Sequence, residues 1–412
     1  MTKTDVAGLV DHLFRANYGQ MVARLTGLFG PARLGLAEDV MQEAMIRALK
    51  QWPFNGIPEH PRAWLIQVAR NLALDILRRE QNFEQKRAHL EGLVQEMIEM
   101  PGDASYPSEL QDDQLCLMFT CCHPAVPVES RLALTLKTAC GFGVGEIARA
   151  FLLKEATVAQ RLVRARRRIR QQQIPFALPD PQGLAPRLRS VLDVLYIMFN
   201  EGHTSSQADS LIRDDICAEA IRLTRMLADH PVTGGPETHA LAALMLFQAA
   251  RFASRQDGQG DLILLEDQDR SSWDSKLIGL GLQHLQRAGK GDNLTDFHLE
   301  AEIAAYHTTA KDFATTNWAH ILILYDLLWK HKPGAVIGLN RAVALAQLKG
   351  PAVALEALDE LQVELSDYYP FYVTLGSFWL RLGQQQKASA HFHRALELCD
   401  NPVVRRYLLD QL

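Results

Sequence analysis

The sequence predicts an all-α protein, and three observations carry that prediction. Apolar residues recur at helical intervals along nearly the whole chain, strand-like alternation is confined to "DLILLE" at 261–266, and Gly or Pro punctuates the pattern at distances that suit short helix-to-helix turns.

The composition agrees with a soluble, well-cored chain. Its 412 residues carry a formal net charge of −5, with 48% hydrophobic and 22% charged residues, which leaves room for two or three domains and excludes wholesale disorder. The longest apolar runs, "LAALMLFQAA" at 241–250 and "HILILYDLLW" at 320–329, are about half as long as a bilayer span requires. The first residues lack a charged start, an unbroken apolar stretch and a cleavage site, so a cytoplasmic protein with no membrane segment is expected. The six cysteines are scattered through helical patterns and suit reduced, buried thiols. "TCCHP" at 120–124 has neither CxxC spacing nor a second ligand pair, so no metal is assigned to it.

Two segments break the helical pattern. Residues 81–111 are poor in aromatics and rich in acids (Glu84, Glu91, Glu96, Glu99, Asp103, Glu109), include "MPGDASYPS", and predict an acidic linker or a loosely held helix, with Asp112 just beyond. The stretch 171–186, "QQQIPFALPDPQGLAP", holds four prolines that must interrupt any helix entering it. The expected parts are therefore 1–80, 112–170 and 187–412.

In the first part, "LAEDVMQEAMIRALKQW" at 36–52 places Met41, Ala44, Met45, Ala48, Leu49 and Trp52 on one helix face. Asp39, Gln42, Glu43 and Lys50 are left for solvent or a partner. A proline-bounded loop, "PFNGIPEHP" at 53–61, leads to a second amphipathic helix whose outer face carries Arg62, Gln67, Arg70, Asn71, Asp75 and Arg78.

The middle part ends on "ATVAQRLVRARRRIR", 156–170, with six arginines and no acid. Val158, Leu162, Ala165 and Ile169 form its apolar stripe. Before it, "GFGVGEIARAFLLKEA" gives a short helix buried through Ile147, Ala148 and Phe151 and a compact turn at "LLKE", so the pair reads as a helix-turn-helix. Such a unit sets the exposed start of its second helix against base edges in the major groove, with flanking cations on phosphates. Thr157, Ala159, Gln160, Arg161 and Arg164 fall where base-edge or nearby backbone contacts would be made, and Arg166, Arg167, Arg168 and Arg170 where phosphates would lie. The alternative is a solvated arginine face, against which stands the absence of any neutralising acid in the run.

The last part repeats a plan. "LGQQQKASAHFHRALEL", 382–398, has Gly383, Ala388, Phe392 and Ala395 at the offsets of the second helix of a tetratricopeptide (TPR) unit, and "LKGPAVALEALDEL", 348–361, repeats it about 33 residues earlier. Helices expected at 188–200, 214–229, 237–254, 275–288, 297–310 and 317–330 extend this into a solenoid or bundle. "NEGHTSS" at 200–206 and "LLEDQDRSSWD" at 264–274 interrupt it with polar residues that either line a ligand or partner groove or, as Asp267 and Asp269, cap helices.

The blocks "AEDVMQEAMIRAL", "HPRAWLIQVARNLALDILRR" and "GEIARAFLLKEATVAQRLVRARRRI", in that order, resemble regions two and four of a bacterial RNA polymerase sigma factor of the extracytoplasmic-function (ECF) group. The likeness covers about the first 170 residues. "FTCCHPAVPVESRLALTLKTACGF" departs from the short leucine–proline turn of many such factors and, with the long extension, resembles the subgroup with a helical, TPR-like C-terminal half. The resemblance implies a sigma region-two helical domain at 1–80, an acidic linker at 81–111, a region-four helix-turn-helix domain at 112–170, a Pro-rich linker at 171–186 and a TPR-like regulatory domain at 187–412.

It also implies roles for residues. Core RNA polymerase would be met by Asp39, Gln42, Glu43 and Arg47. The single-stranded downstream promoter element, with a flipped-out base that needs a polar pocket, an apolar wall and cations, would be held by Asn55, His60, Arg62, Arg70, Asn71 and Arg78. Trp64, spaced with Leu65 and Val68, fits core better than a stacking platform. The duplex upstream element would be read by Thr157, Ala159, Gln160, Arg161 and Arg164, with Arg167 and Arg168 beside them, because arginine pairs bidentately with guanine and glutamine with adenine. The implied function is promoter-directed transcription initiation, with a regulatory protein or ligand on the C-terminal domain and no cofactor.

Two rival readings remain at this level. One is a helix-turn-helix activator with a signal-sensing TPR-like domain. The other is an enzyme, against which the chain shows no HExxH, GxSxG or phosphate-cradling glycine loop; Glu201 with His203, Asp267 with Asp269, and His298 with Glu302 are its closest approaches, the last reading as a surface pair.

Overall fold

The computed structural model describes residues 18–79, 107–151, 153–203 and 214–412, and the side chains of 78, 79, 107–112, 149 and 150 are outside that description. The acidic positions Glu84, Glu91, Glu96, Glu99 and Asp103 lie outside the described residues. The chain forms two compact units, Met1–Ile197 and Met198–Leu412. Among the described residues every regular element is a helix, and "DLILLE" contributes a single isolated bridge, Leu262 to Gln256. None of these helices is long and apolar enough to cross a membrane.

In the first unit α1 (18–29) leads through a 3-10 turn, Pro31–Arg33, into α2 (Leu34–Asn55), and α3 (Pro61–Arg79) packs back on α2. Met41, Ala44, Met45, Ala48 and Trp52 of α2 are buried as the spacing predicts, whereas Leu49 is 44% exposed. Leu49 sits at the edge of the stripe beside the exposed Ile46, so the face touching the core is narrower than the sequence suggested. Trp64 is half-buried and meets Trp52 edge to face at 5.4 Å, a packing contact.

The same unit continues with α4 (Pro107–Cys121), α5 (Val128–Thr138), α6 (Val144–Ala150) and α7 (Glu155–Gln171). Val158, Leu162, Ala165 and Ile169 of α7 are all buried, and α5 and α6 pack on this helix. Gln171 ends α7. Pro175 and Pro179 occupy the break after it, Pro181 opens α8 (Pro181–His203) at its first position, where a proline loses no helical hydrogen bond, and Pro186 falls inside that helix.

The "TCCHP" turn is a structural joint. The thiols of Cys121 and Cys122 are buried, Cys122 Sγ lies 3.3 Å from Thr135 Oγ1, and burial pushes the Cys122 thiol up to about 11. Arg131 fastens the turn, donating to the carbonyls of Val126 (2.6 Å) and Pro124 (2.9 Å) and to Ser190 Oγ (2.7 Å), and Ser190 Oγ donates to the Cys122 carbonyl at 2.6 Å.

The second unit runs through α9 (Asp214–Asp229), α10 (Pro236–Ala249), α11 (Ser275–Ala288), α12 (Asp296–Thr309) and α13 (Trp318–His331). It closes with α14 (Ala335–Lys349), α15 (Pro351–Asp359), α16 (Tyr369–Arg381), α17 (Gln385–Leu398) and α18 (Pro402–Asp410). The helix expected over 237–254 stops at Ala249: the carbonyl of Ala250 accepts instead from Asp274 N at 2.9 Å, and Phe252–Ser254 tighten into a 3-10 turn. Asp269 and Asp274 cap the helical turns after them through Ser271 N and through Lys276 and Leu277 N. His298 does not pair with Glu302. It is buried, and its side chain completes a capping box with Thr295, whereas Glu302 lies 3.6 Å from His320.

The repeat plan is visible in the pairing of α16 with α17. Ala388, Phe392 and Ala395 are buried, and Gly383 turns the chain between the helices with φ +73, a conformation other residues adopt only under strain. Gly376 lets the helices touch, because a Cβ there would lie 2.5 Å from the Phe392 ring.

This contrast gives a paired prediction. Ala ordinarily gains about 0.5–1 kcal/mol over Gly inside a helix. At Gly279 of α11 nothing lies within 4 Å of an added Cβ, so Gly279→Ala raises stability by about that amount. Gly376→Ala instead overpacks the α16–α17 seam and costs about 1–3 kcal/mol. Urea unfolding of the two variants checks the opposite signs.

Candidate nucleic-acid interface

The helix-turn-helix is set by local chemistry. Ile147 and Ala148 are buried, Leu153 N donates to the Ala148 carbonyl at 2.8 Å, and Lys154 precedes the first residue of α7. Glu155 in the first turn and Arg168 and Arg170 in the last complement the helix dipole. With the apolar stripe turned inward, Ala159, Gln160, Arg164, Arg167, Arg168 and Arg170 are exposed, and Thr157 and Arg161 are half-buried beside them. Arg168 Nε donates to the Ala125 carbonyl at 3.0 Å, which steadies its stem while the side chain stays in solvent.

Arg166 corrects the expectation that it faces phosphates. Its Nη2 is bonded to Glu38 Oε2 of α2, whose side chain is 1% exposed, and Thr138 Oγ1 of α5 donates to Glu38 Oε1 at 2.7 Å. Burial pushes the Glu38 carboxyl up from its ordinary 4.5, and Arg166, Thr138 and Lys137 act in the opposite direction. A second ion pair, Arg24 to Asp113 at 3.2 Å, ties α1 to α4. Gly19 of α1 sits so close to the Ala139 carbonyl that a Cβ would lie 1.9 Å from its oxygen. In this structure the arginine helix is thus packed within the same unit as α2.

On α2, Asp39, Glu43 and Arg47 are exposed and Gln42 is half-buried; Arg47 Nε lies 3.2 Å from Glu43 Oε1. Ile46 and Leu49, 43% and 44% exposed, stand among them, so the polar face carries an apolar pair that the spacing did not reveal. Asn55 ends α2, and Phe54 beside it is 77% exposed. That aromatic was missed by the sequence reading, although an aromatic in a proline-bounded segment was the available signal. Across the loop Arg62 and Asn71 are exposed, while His60 and Arg70 are half-buried. His60 Nδ1 and Arg70 Nε are closed to solvent without a hydrogen-bond partner, and burial lowers the affinity of Arg70 for its proton. The side chain of Arg78 lies outside the described residues.

The chain matches the family model for sigma-70 region 2 over residues 13–83 and that for sigma-70 region 4 over 116–169, and residues 187–289 match a family of unknown function, DUF6596. The chain is an extracytoplasmic-function sigma factor with a C-terminal extension. This sigma factor is 38% identical over 384 residues to an uncharacterized protein of Rhizobium meliloti (strain 1021), covering 92% of this chain and 90% of the relative. No solved structure matches it. As a sigma factor it binds core RNA polymerase and promoter DNA, so the exposed arginines of α7 lie in the region that the family uses on DNA and α2 lies in region 2.

The buried pair in this sigma factor generates a prediction. Removing one partner of a buried ion pair strands the other, so Glu38→Ala costs about 3 kcal/mol, the lower end of the usual range because Arg166 keeps some solvent. An acid whose folded proton affinity is raised stabilises fully below its unfolded value of 4.5, and loses that contribution as pH climbs through the folded value. The stability of wild type minus that of Glu38→Gln therefore falls as pH rises from 4.5 towards neutrality. Urea unfolding across that window checks it, and a pH-independent difference contradicts it.

Proposed function

We propose that this sigma factor recruits core polymerase through α2 and reads two promoter elements with separate helices. Residues 1–80 act as the region-two domain, in which Asp39, Gln42, Glu43 and Arg47 contact polymerase around the exposed Ile46 and Leu49. Exposed apolar side chains inside a charged surface are the usual mark of a protein-binding patch. Asn55, His60, Arg62, Arg70, Asn71 and Arg78 hold the unpaired downstream strand, and Phe54 supplies a ring on which a base stacks.

Residues 112–170 act as the region-four domain. Gln160, Arg161 and Arg164 read base edges of the upstream duplex together with Thr157 and Ala159, and Arg167 and Arg168 anchor phosphates. Residues 81–111 and 171–186 serve as linkers. The 187–412 domain regulates the factor in the cytoplasm, where it meets polymerase. The observation that carries this reading is the coincidence of two ordered sigma-region matches with a helix whose outward face carries Gln160 and four exposed arginines and whose inward stripe is wholly apolar.

Run-off transcription with core polymerase and no other sigma factor tests it. The intact chain is expected to start transcripts at its own promoters, whereas a helix-turn-helix activator would give none. Truncation after residue 203, which keeps α8 and the first unit whole, is expected to change that output; unchanged output would remove the regulatory role.

Substitutions separate the surfaces. Gln160→Ala and Arg164→Ala each cost about 1–3 kcal/mol at particular upstream base pairs, whereas Arg168→Ala weakens every duplex alike and flattens the salt dependence. Asn71→Ala spares duplex binding and impairs strand opening. Anisotropy titrations at several salt concentrations, with permanganate footprinting for opening, distinguish the three patterns.

A further inference from the structure

The two polar interruptions singled out in the sequence meet in the second unit. His203, at the end of α8, comes from the first, and Arg270, which opens the 3-10 turn before α11, and Trp273, which follows that turn, come from the second. Between them stand Arg251 and Arg255, which follow α10, and His307 of α12 closes the group.

Two of the arginines are anchored. Arg255 Nη1 donates to the His203 carbonyl at 2.7 Å. Arg270 Nη1 donates to the carbonyls of His307 (2.7 Å) and Ala310 (3.1 Å), and its Nη2 to Thr316 Oγ1 at 3.0 Å. Arg251 differs. Its guanidinium lies over the Trp273 ring at 5.8 Å, on a ring already shared with Arg270 at 5.2 Å, and its Nε is closed to solvent without a hydrogen-bond partner. His203 Nε2, Arg270 Nε, Trp273 Nε1 and His307 Nδ1 are closed off and unsatisfied in the same way, so this group of neighbouring residues carries several ring and guanidinium nitrogens without partners.

Among the described residues no carboxylate forms an ion pair with Arg251, Arg255 or Arg270; Asp312, an exposed residue, acts on Arg270 only from a distance. Burial and then the neighbouring Arg255 and Arg270 bring Arg251 down to about 9, and burial with Arg251 and Arg270 holds His307 down to about 3. His203 is depressed by burial and by Arg255 and Arg251. The acids that face Arg255 are Tyr369, which burial pushes up to about 12, and Cys217, also pushed up to about 12, so both are neutral at physiological pH. Holding a guanidinium largely out of water without a paired counter-charge is costly, and an anion bound there would offset that cost.

We infer that Arg251, with Arg255 and Arg270 beside it and Trp273 beneath, forms a binding site for a small oxyanion-bearing molecule, a carboxylate or a phosphate ester. Guanidinium donors match both headgroups. The aromatic surroundings suit an organic body on that headgroup: His203 stacks on Phe199 at 5.8 Å, and Phe252 lies 5.6 Å from His203. The site lies almost wholly within the stretch that matches the family of unknown function, and its existence does not depend on the promoter reading.

Thermal unfolding of the intact chain tests this without polymerase or DNA. Sodium phosphate and sodium citrate are titrated separately against sodium chloride at matched ionic strength. A saturable rise in unfolding temperature beyond chloride is expected from at least one of them; a response to phosphate alone assigns a phosphate ester, and a response to citrate alone or to both assigns a carboxylate-tolerant site. Arg251→Met, which removes the unpaired charge and keeps apolar contact with Trp273, is expected to weaken the apparent affinity by about tenfold or more. Arg251→Gln serves the same purpose should the Met variant not fold. No rise beyond chloride in the wild type, or the same rise with undiminished affinity in the folded variant, overturns the assignment.

Discussion

Glu38 loses water on every side when α2 packs, and its ionised form is supported there by groups arriving from other helices, Thr138 and Lys137 of α5 and Arg166 of α7. That requirement organises the first unit. A carboxylate 1% exposed cannot be stranded without a cost of several kcal/mol, so α5 and α7 must return to α2 although they follow it by about a hundred residues. The close approach of Gly19 to Ala139 and the Arg24–Asp113 pair lie along the same seam. One consequence falls on the proposed function: Arg166 of α7 is committed to structure, and the outward face proposed for nucleic acid is that of Gln160, Arg164, Arg167 and Arg168.

The second unit solves a different problem. Its helix pairs close through small residues, with Gly376 under Phe392 and Gly338 against Trp329 and Leu361, and its buried Asp296 is paired with Lys332 at 2.9 Å. The cationic group around Arg251 therefore stands out against its surroundings. Most of it comes from the irregular backbone and capped turns between α10 and α11. Loops held by a rigid helical frame are where binding residues concentrate.

Much of this was legible in the sequence, and the failures have physical causes. Every residue of the α7 stripe predicted as apolar is buried, because amphipathic period is a local property that burial obeys. The helix starts at 214 and 275 were readable for the same reason. Arg166 was misplaced because its partner lies 128 residues away, and no local pattern encodes so distant an ion pair. Leu49 was misplaced because period alone does not fix the width of a buried face. Arg251 was absorbed into an overlong helix, expected over 237–254, since the hydrogen bond from Asp274 to the Ala250 carbonyl just past the end of α10 is tertiary.

For the account as a whole, the decisive measurement is equilibrium binding of the purified, fluorescently labelled chain to core RNA polymerase. The account predicts a saturable complex that is weakened when Glu43 on the outer face of α2 is reversed to lysine, with the fold of the chain intact by circular dichroism. Failure of the wild type to form any complex, at concentrations where it binds DNA through α7, would contradict it.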